Sequence, residues 1–282
     1  MGNKKYFFFD YDGTLAVPRT RSIPQSTLEA LDELRAQGHF IALATGRLQV
    51  NAVDYIDSAG ITNIVADGGY SVTLNGELKW MEGLPLAPVK KCLHILEDQG
   101  IPWAVSTTNE LVRYSPREDF AEIAGDYYVP TEYDPNLRID DLNCIYKAYI
   151  PCSTKDEDMV FATGALNEVP HVRYDSDTIF VEPMDKQRGI KRMMNLLDAP
   201  YEDVVVFGDG FNDVSMFIPE WTSIAMGNAR QVLKERANFV TTNCDDDGDH
   251  ERLQALWMDS RLAWGVSKTH GSISVPSHII RF

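Results

Sequence analysis

Asp10, Asp12 and Gly13 follow directly on the apolar run Tyr6-Phe7-Phe8-Phe9. Two carboxylates two residues apart, at the carboxyl end of a predicted buried strand, stand where open α/β sheets bind their ligands. Side chains alternate across a strand, so a strand continued through Asp12 would place Asp10 and Asp12 on one face. Carboxylates that close repel one another, and hard oxygen ligands on a tight turn suit Mg²⁺. The same residues also suit a solvated turn, because Asp and Gly favour turns.

Three further segments carry matching chemistry. Phe40-Ile41-Ala42-Leu43-Ala44 reads as a second strand and runs into Thr45-Gly46-Arg47. A Thr hydroxyl and a Gly N–H at a strand end make a compact anion seat. Asp203-Val204-Val205-Val206-Phe207 reads as a third strand and opens into Gly208-Asp209-Gly210-Phe211-Asn212-Asp213. Between them, Lys186 in Asp185-Lys186-Gln187-Arg188-Gly189 enters a predicted helix with its ammonium free to reach a phosphate.

In order and spacing, these four segments resemble the haloacid dehalogenase (HAD) superfamily of phosphatases, and its Cof-type group in particular, from about Lys5 to Leu256. The resemblance implies an α/β fold: a doubly wound, parallel-sheet, Rossmann-like core of residues 1–83 and 184–282. An α+β cap of residues 84–183 would be inserted between the second and third motifs. It implies a Mg²⁺-dependent hydrolase of small phosphorylated metabolites, such as a sugar phosphate or a phosphorylated cofactor, acting through an aspartyl-phosphate. Asp10 would be the nucleophile and Asp12 the general acid and base, its pKa raised by burial beneath the cap. Thr45, Gly46, Lys186 and Asn212 would bind phosphate. The metal set would be the Asp10 carboxylate, the Asp12 backbone carbonyl and Asp209, with Asp213 orienting metal-bound water or bracing Lys186. Arg47 fits the family pattern, and a solvated or cap-facing role fits it equally. The family often has Asn-Gly where this chain has Asp67-Gly68-Gly69; an acid facing substrate or a pure turn would each account for it, and two glycines favour the turn. A phosphomutase-like phosphotransferase and a phosphate-ligand binding protein without turnover are the competing readings.

Composition narrows the partners. With 282 residues and a net charge of −16, the surface repels nucleic acid and anionic membrane. It also repels a phosphorylated substrate, so the site must supply local positive charge. No apolar run approaches the roughly 20 residues of a membrane span, and the amino-terminal run is too short for a signal peptide; a cytoplasmic protein is expected. Cysteines 92, 144, 152 and 244 form no CxxC pair and read as reduced thiols. The six histidines lack zinc-ligand spacing. Asn243-Cys244-Asp245-Asp246-Asp247-Gly248 resembles the start of a calcium loop, but Gln254 stands where its closing Glu belongs.

Periodicity supplies the elements that would position these residues. A helix is predicted over Pro24–Gln37, strands over Phe40–Ala44 and Asn63–Ala66, and a hairpin over Ser71–Leu74 and Glu77–Met81 through Asn75-Gly76. Pro85 and Pro88 mark a linker, followed by a helix over Val89–Gln99. Strands are read at Trp103–Ser106, Glu110–Arg113, Ile145–Ile150, His171–Tyr174 and Thr178–Val181. A helix over Gly189–Leu197 and strands over Ser223–Met226 and Phe239–Thr242 complete the core. Gly83–Pro88 and Glu182–Asp185 are the candidate hinges. Ser260–Phe282 lies outside the resemblance and reads as a loose tail or an extra packed segment.

Overall fold

The computed structural model describes residues 4–54, 59–125, 129–174 and 177–245. The tail read from Ser260 onward, and most of the calcium-like loop, lie outside those residues. In chain order the first elements are β1 (Tyr6–Phe9), α1 (Gln25–Ala36), β2 (Phe40–Ala44), α2 (Gln49–Asp54), β3 (Ile64–Ala66), β4 (Ser71–Leu74) and β5 (Glu77–Met81). Then come α3 (Leu86–Asp98), β6 (Ala104–Ser106), β7 (Arg113–Ser115), α4 (Phe120–Ala124), β8 (Thr131–Tyr133) and β9 (Lys147–Pro151). The series ends with α5 (Glu157–Ala162), β10 (His171–Arg173), β11 (Thr178–Val181), α6 (Lys186–Leu196), β12 (Val204–Gly208), β13 (Thr222–Ala225), α7 (Gln231–Arg236) and β14 (Phe239–Val240).

Two sheets result. The first has eight strands in the order β14-β13-β12-β1-β2-β3-β4-β5. It is parallel from β14 to β3 and closes with antiparallel β4 and β5. The second has six strands, β10-β11-β9-β6-β7-β8, all drawn from the stretch between β5 and α6. It is antiparallel except where β7 meets β8. A strand reading Tyr-Phe-Phe-Phe is apolar on both faces, which suits the centre of a covered parallel sheet. β1 sits there, with β12 on one side and β2 on the other, and Phe8 and Phe9 are buried. Its carboxyl end is therefore a switch point, where the chain leaves to opposite sides and opens a crevice.

Local chemistry set several boundaries differently from the periodicity. α3 begins at Leu86 rather than Val89, with Pro85 at its N-cap. Pro88 lies in the first turn, where its missing N–H breaks no helical hydrogen bond, so the predicted linker is shorter than two prolines suggested. α6 begins at Lys186 rather than Gly189, because the Asp185 carboxylate accepts the Arg188 N–H (3.2 Å) and caps the first turn. The strand read at Glu110–Arg113 is displaced to Arg113–Ser115: residues 107–112 form a turn whose Val112 carbonyl accepts the Ser106 hydroxyl (2.9 Å). The Asn75-Gly76 hairpin forms as read, with φ of 53° and 79°.

The Asp67-Gly68-Gly69 segment is a tight buried turn that locks two connections together. All three residues have positive φ, at 49°, 57° and 104°. A Cβ on Gly68 would lie 1.7 Å from the Pro183 carbonyl oxygen, and one on Gly69 would lie 1.9 Å from that of Asp185. The chain returning from the second sheet thus runs backbone to backbone against this turn, and the Asp185 N–H donates to the Gly68 carbonyl (2.8 Å). Asp67 itself faces inward. Its Oδ2 accepts the Gln49 N–H (3.1 Å) and the Ser71 hydroxyl (2.7 Å), and its N–H donates to the Arg47 carbonyl (2.8 Å). Its Oδ1 has no hydrogen-bond partner among the described residues. Burial pushes the Asp67 carboxyl up to about 6. Among the described residues no helix is long and apolar enough to cross a membrane.

Two stability measurements test this packing. Gly68→Ala is expected to lower the unfolding free energy by about 3 kcal/mol or more. Gly38→Ala, also at positive φ (84°) but with nothing within 4 Å of the added carbon, is expected to lose only about 1–2 kcal/mol. Equal losses in urea titrations would sink the close-approach account. The second concerns Asp67, whose folded pKa of about 6 exceeds its ordinary 3.8. Its contribution is therefore fully present below about pH 4 and is lost as the pH rises through about 6, on the order of 2–3 kcal/mol. Asp67→Asn should lack that decline, and parallel pH curves for the two proteins would contradict it.

Candidate active site

Strand register aligns the candidate loops before any side chain is considered. Phe9 pairs with Phe207 on one side and Leu43 on the other. The residues that follow, Asp10, Gly208-Asp209 and Ala44-Thr45, therefore emerge together at one sheet edge. The Asp10 N–H donates to the Phe207 carbonyl (3.0 Å), one last ladder bond beyond β1.

Lys186 joins three of the four predicted loops. It is fully buried at the start of α6, and its Nζ donates to Asp10 Oδ1 (2.7 Å) and Asp213 Oδ1 (2.5 Å). Asp213 Oδ2 accepts the N–H groups of Asp209 and Gly210 (both 2.9 Å). Both oxygens of Asp213 are thus committed to bracing Lys186 and the turn, and the bracing reading of Asp213 is the one this geometry favours. Asp209 turns toward the first loop: Thr14 Oγ1 donates to its Oδ1 (3.4 Å). A Cβ on Gly13 would stand within van der Waals overlap of Asp209 Oδ2, at 2.3 Å, so a glycine is required there. Asn228 Nδ2 donates to the Gly13 carbonyl (2.8 Å) and to Asp209 Oδ2 (3.2 Å).

Ligand oxygens of Asp10, Asp209 and Asp213 lie within 4.8 Å of one another. Three carboxylates against one ammonium leave two negative charges uncompensated in a buried volume. The titration shifts carry that strain. Burial, with the Asp213 charge next, raises Asp10 well above the ordinary carboxylate range, and Lys186 only partly offsets it. The same two causes push Asp209 up to about 7. Burial alone would lower Lys186, but the Asp10 and Asp213 carboxylates override it and raise its pKa. An all-oxygen set short of two positive charges fits a hard divalent cation such as Mg²⁺.

Asp12 departs from two expectations. The strand ends at Phe9, so Asp12 does not share a strand face with Asp10. Its side chain is 52% exposed rather than buried beneath a cap. It forms a two-pronged pair with Arg47, which donates from Nε (2.8 Å) and Nη2 (2.7 Å). Arg47 also donates to Asn51 Oδ1 (3.2 Å) and lies over the Tyr11 ring, 5.5 Å from its centroid, which leaves its side chain half-buried. Through this pair the second loop meets the first. Thr45 is buried; its hydroxyl oxygen accepts the Arg47 N–H (3.2 Å).

Gly46 and Asn212 lie at the meeting point with the second sheet. A Cβ on Gly46 would come 3.0 Å from the Tyr174 hydroxyl, 3.2 Å from Asn212 Nδ2 and 3.3 Å from Glu182 Oε1. Asn212 Nδ2 donates to the Tyr174 hydroxyl (3.4 Å), which in turn donates to Glu182. Lys147 Nζ donates to the Gly46 carbonyl (3.0 Å) and pairs with Glu182. The sequence reading missed Lys147, Tyr174, Glu182 and Asn228. Only Asn228 had a legible signal, the Gly227-Asn228-Ala229 turn after an apolar strand.

Residues 7–249 match the haloacid dehalogenase-like hydrolase family. YkrA of Bacillus subtilis (strain 168), provisionally named a phosphatase, is 29% identical over 87% of this chain and 95% of its own length. Pyridoxal phosphate phosphatase YbhA of Escherichia coli (strain K12) is 26% identical over 82% of this chain and 90% of its own. The structure of the HAD subclass IIB sugar phosphatase BT4131 superposes with a TM-score of 0.73 at 26% identity, covering 90% of this chain and 100% of that one. The carboxylate cluster on a switch-point sheet, the inserted second sheet and these likenesses converge: the chain belongs to the haloacid dehalogenase-like hydrolases and is a phosphatase of that family.

Proposed function

We propose that this chain is a Mg²⁺-dependent phosphatase of small phosphorylated metabolites that works through an aspartyl-phosphate on Asp10. The observation that carries the reading is the buried Lys186 ammonium held between Asp10 (2.7 Å) and Asp213 (2.5 Å), with Asp209 in the same cluster. A free Asp10 oxygen attacks phosphorus as the ester P–O bond breaks. Asp12, at the mouth of the site, takes up a proton from solvent as its pair with Arg47 opens and gives it to the leaving alkoxide. Water then attacks the aspartyl-phosphate, Asp12 takes the water's proton, and the P–O bond to Asp10 breaks to release phosphate.

Lys186 keeps Asp10 oriented and offers positive charge to the phosphoryl oxygens. Thr45, Gly46 and Asn212 supply neutral donors around them. Arg47 holds the Asp12 carboxyl at the mouth. Mg²⁺, held by Asp10, Asp209 and the Asp12 carbonyl, with Asp213 bracing the set, would cancel the repulsion between carboxylate and phosphate. Residues 84–183 form the cap in this proposal and contribute Tyr174 to its rim. The named substrates of relatives, pyridoxal phosphate and sugar phosphate, support a small polar phosphate ester as the class.

Two experiments test the proposal. Hydrolysis of p-nitrophenyl phosphate should require added Mg²⁺ and should fall at least about 1,000-fold in Asp10→Asn; equal rates in wild type and variant would refute it. Adding Mg²⁺ to the wild type should raise the melting temperature by mass action, about 2.7 kcal/mol at a hundred times the dissociation constant. Asp209→Asn should abolish most of that rise. A rise undiminished in that variant would place the ion elsewhere.

A further inference from the structure

Lys147 lies on β9, in the second sheet, yet its ammonium reaches across to the first. It is almost wholly buried, 3.0 Å from the Gly46 carbonyl oxygen and 2.5 Å from Glu182 Oε2. A lysine is seldom buried unless paired, and Glu182 supplies the pairing. The bond to Gly46 is separate from that electrostatic need. It fixes one end of the Gly46–Arg47 peptide.

The other end of that peptide is its N–H, which donates to Thr45 Oγ1 (3.2 Å). A hydroxyl oxygen that accepts an N–H turns its own proton away from it, so the Thr45 O–H is left as an oriented donor. The residue that carries the N–H is Arg47, whose guanidinium holds both oxygens of Asp12. One peptide plane therefore sets a phosphate donor and the placement of the candidate acid and base. The loop is also anchored to the second sheet apolarly, since Leu48 packs among Ala104, Phe120, Tyr149 and Phe180.

We infer that Lys147 is a positioning residue for phosphoryl transfer: by holding the Gly46 carbonyl it orients the Gly46–Arg47 peptide, and through it the Thr45 hydroxyl and the Arg47–Asp12 pair. The inference rests on the functional reading above. Its geometry makes the phosphate loop's shape depend on the second sheet being docked.

The test uses full-length Lys147→Met/Glu182→Gln, which removes both buried charges together, with the single variants Lys147→Met, Lys147→Arg and Glu182→Gln. Readouts are kcat and KM for p-nitrophenyl phosphate, the inhibition constant and binding affinity of inorganic phosphate, and the melting temperature. Each ammonium-lacking variant that folds should lose kcat about 10- to 100-fold and bind phosphate more weakly. Lys147→Arg, which keeps a cationic donor, should recover most of the loss. Glu182→Gln keeps the ammonium, so it should hold kcat within about threefold while melting at a lower temperature. A structural role alone would lower melting temperatures and leave kcat and phosphate affinity intact, which would overturn the inference. If neither ammonium-lacking variant folds, Glu182→Gln decides, and a tenfold loss of its kcat counts against Lys147. A wild type that binds phosphate but hydrolyses nothing fails the functional reading alone, with Lys147 still read from phosphate affinity. A wild type that does neither overturns both.

Discussion

A buried ammonium among two buried carboxylates and one half-buried one is the constraint on which the rest of the structure depends. Lys186 has no exposed surface, and its two partners come from segments 176 and 27 residues away in sequence. A buried ion pair broken on one side leaves a charge with nowhere to go, a cost of about 3–5 kcal/mol. The helix that delivers Lys186 must therefore start at that residue, and the Asp185 cap makes it do so. The pair is still insufficient, because Asp10 and Asp209 both remain pushed toward their protonated forms. The fold holds together a site that is unfavourable alone, which is where a divalent cation and a phosphate would each find complementary charge.

Holding such a site requires backbones to come closer than side chains permit. Gly13 admits the Asp209 carboxylate, and Gly68 and Gly69 admit the connection Pro183–Asp185 that returns from the second sheet. Gly189 does the same between α6 and β3, where a Cβ would stand 2.4 Å from Val65 Cγ1. These positions draw the four loops into contact. A net charge of −16 would otherwise keep a phosphate ester away, since long-range repulsion acts before any local donor does. Lys186 places positive charge where the field must reverse.

The two sheets meet through polar links as well as apolar contact. Lys147 reaches the Gly46 carbonyl, and Asn109 donates to Gln49 Oε1 (2.7 Å), whose amide nitrogen donates to Thr73 (3.0 Å). Gln49 in turn leans on Asp67 through its N–H. The segment from Thr45 to Gln49 is thus held from both sides. Asp67, the departure noted in the sequence, stands in a buried turn and braces the Thr45–Gln49 segment from beneath.

The sequence alone determined the fold class and the order of the four loops. Apolar runs such as Phe7-Phe8-Phe9 and Val204-Val205-Val206 suit a sheet covered on both faces, and Asp, Thr, Gly and Lys at strand or helix ends are local signals. Burial, orientation and partners are not local, and there the sequence fell short. It placed Asp12 beneath a cap, whereas the side chain is 52% exposed and paired with Arg47, 35 residues away. It left Arg47 open between a substrate or cap contact and a solvated role, because nothing in Thr45-Gly46-Arg47 names a partner. Lys147 sits in an ordinary strand pattern, and its contacts with Glu182 and with a carbonyl 101 residues distant set it apart. Periodicity reports which face of an element is apolar. Which charge meets which across two sheets is decided only when chain segments far apart are packed against each other.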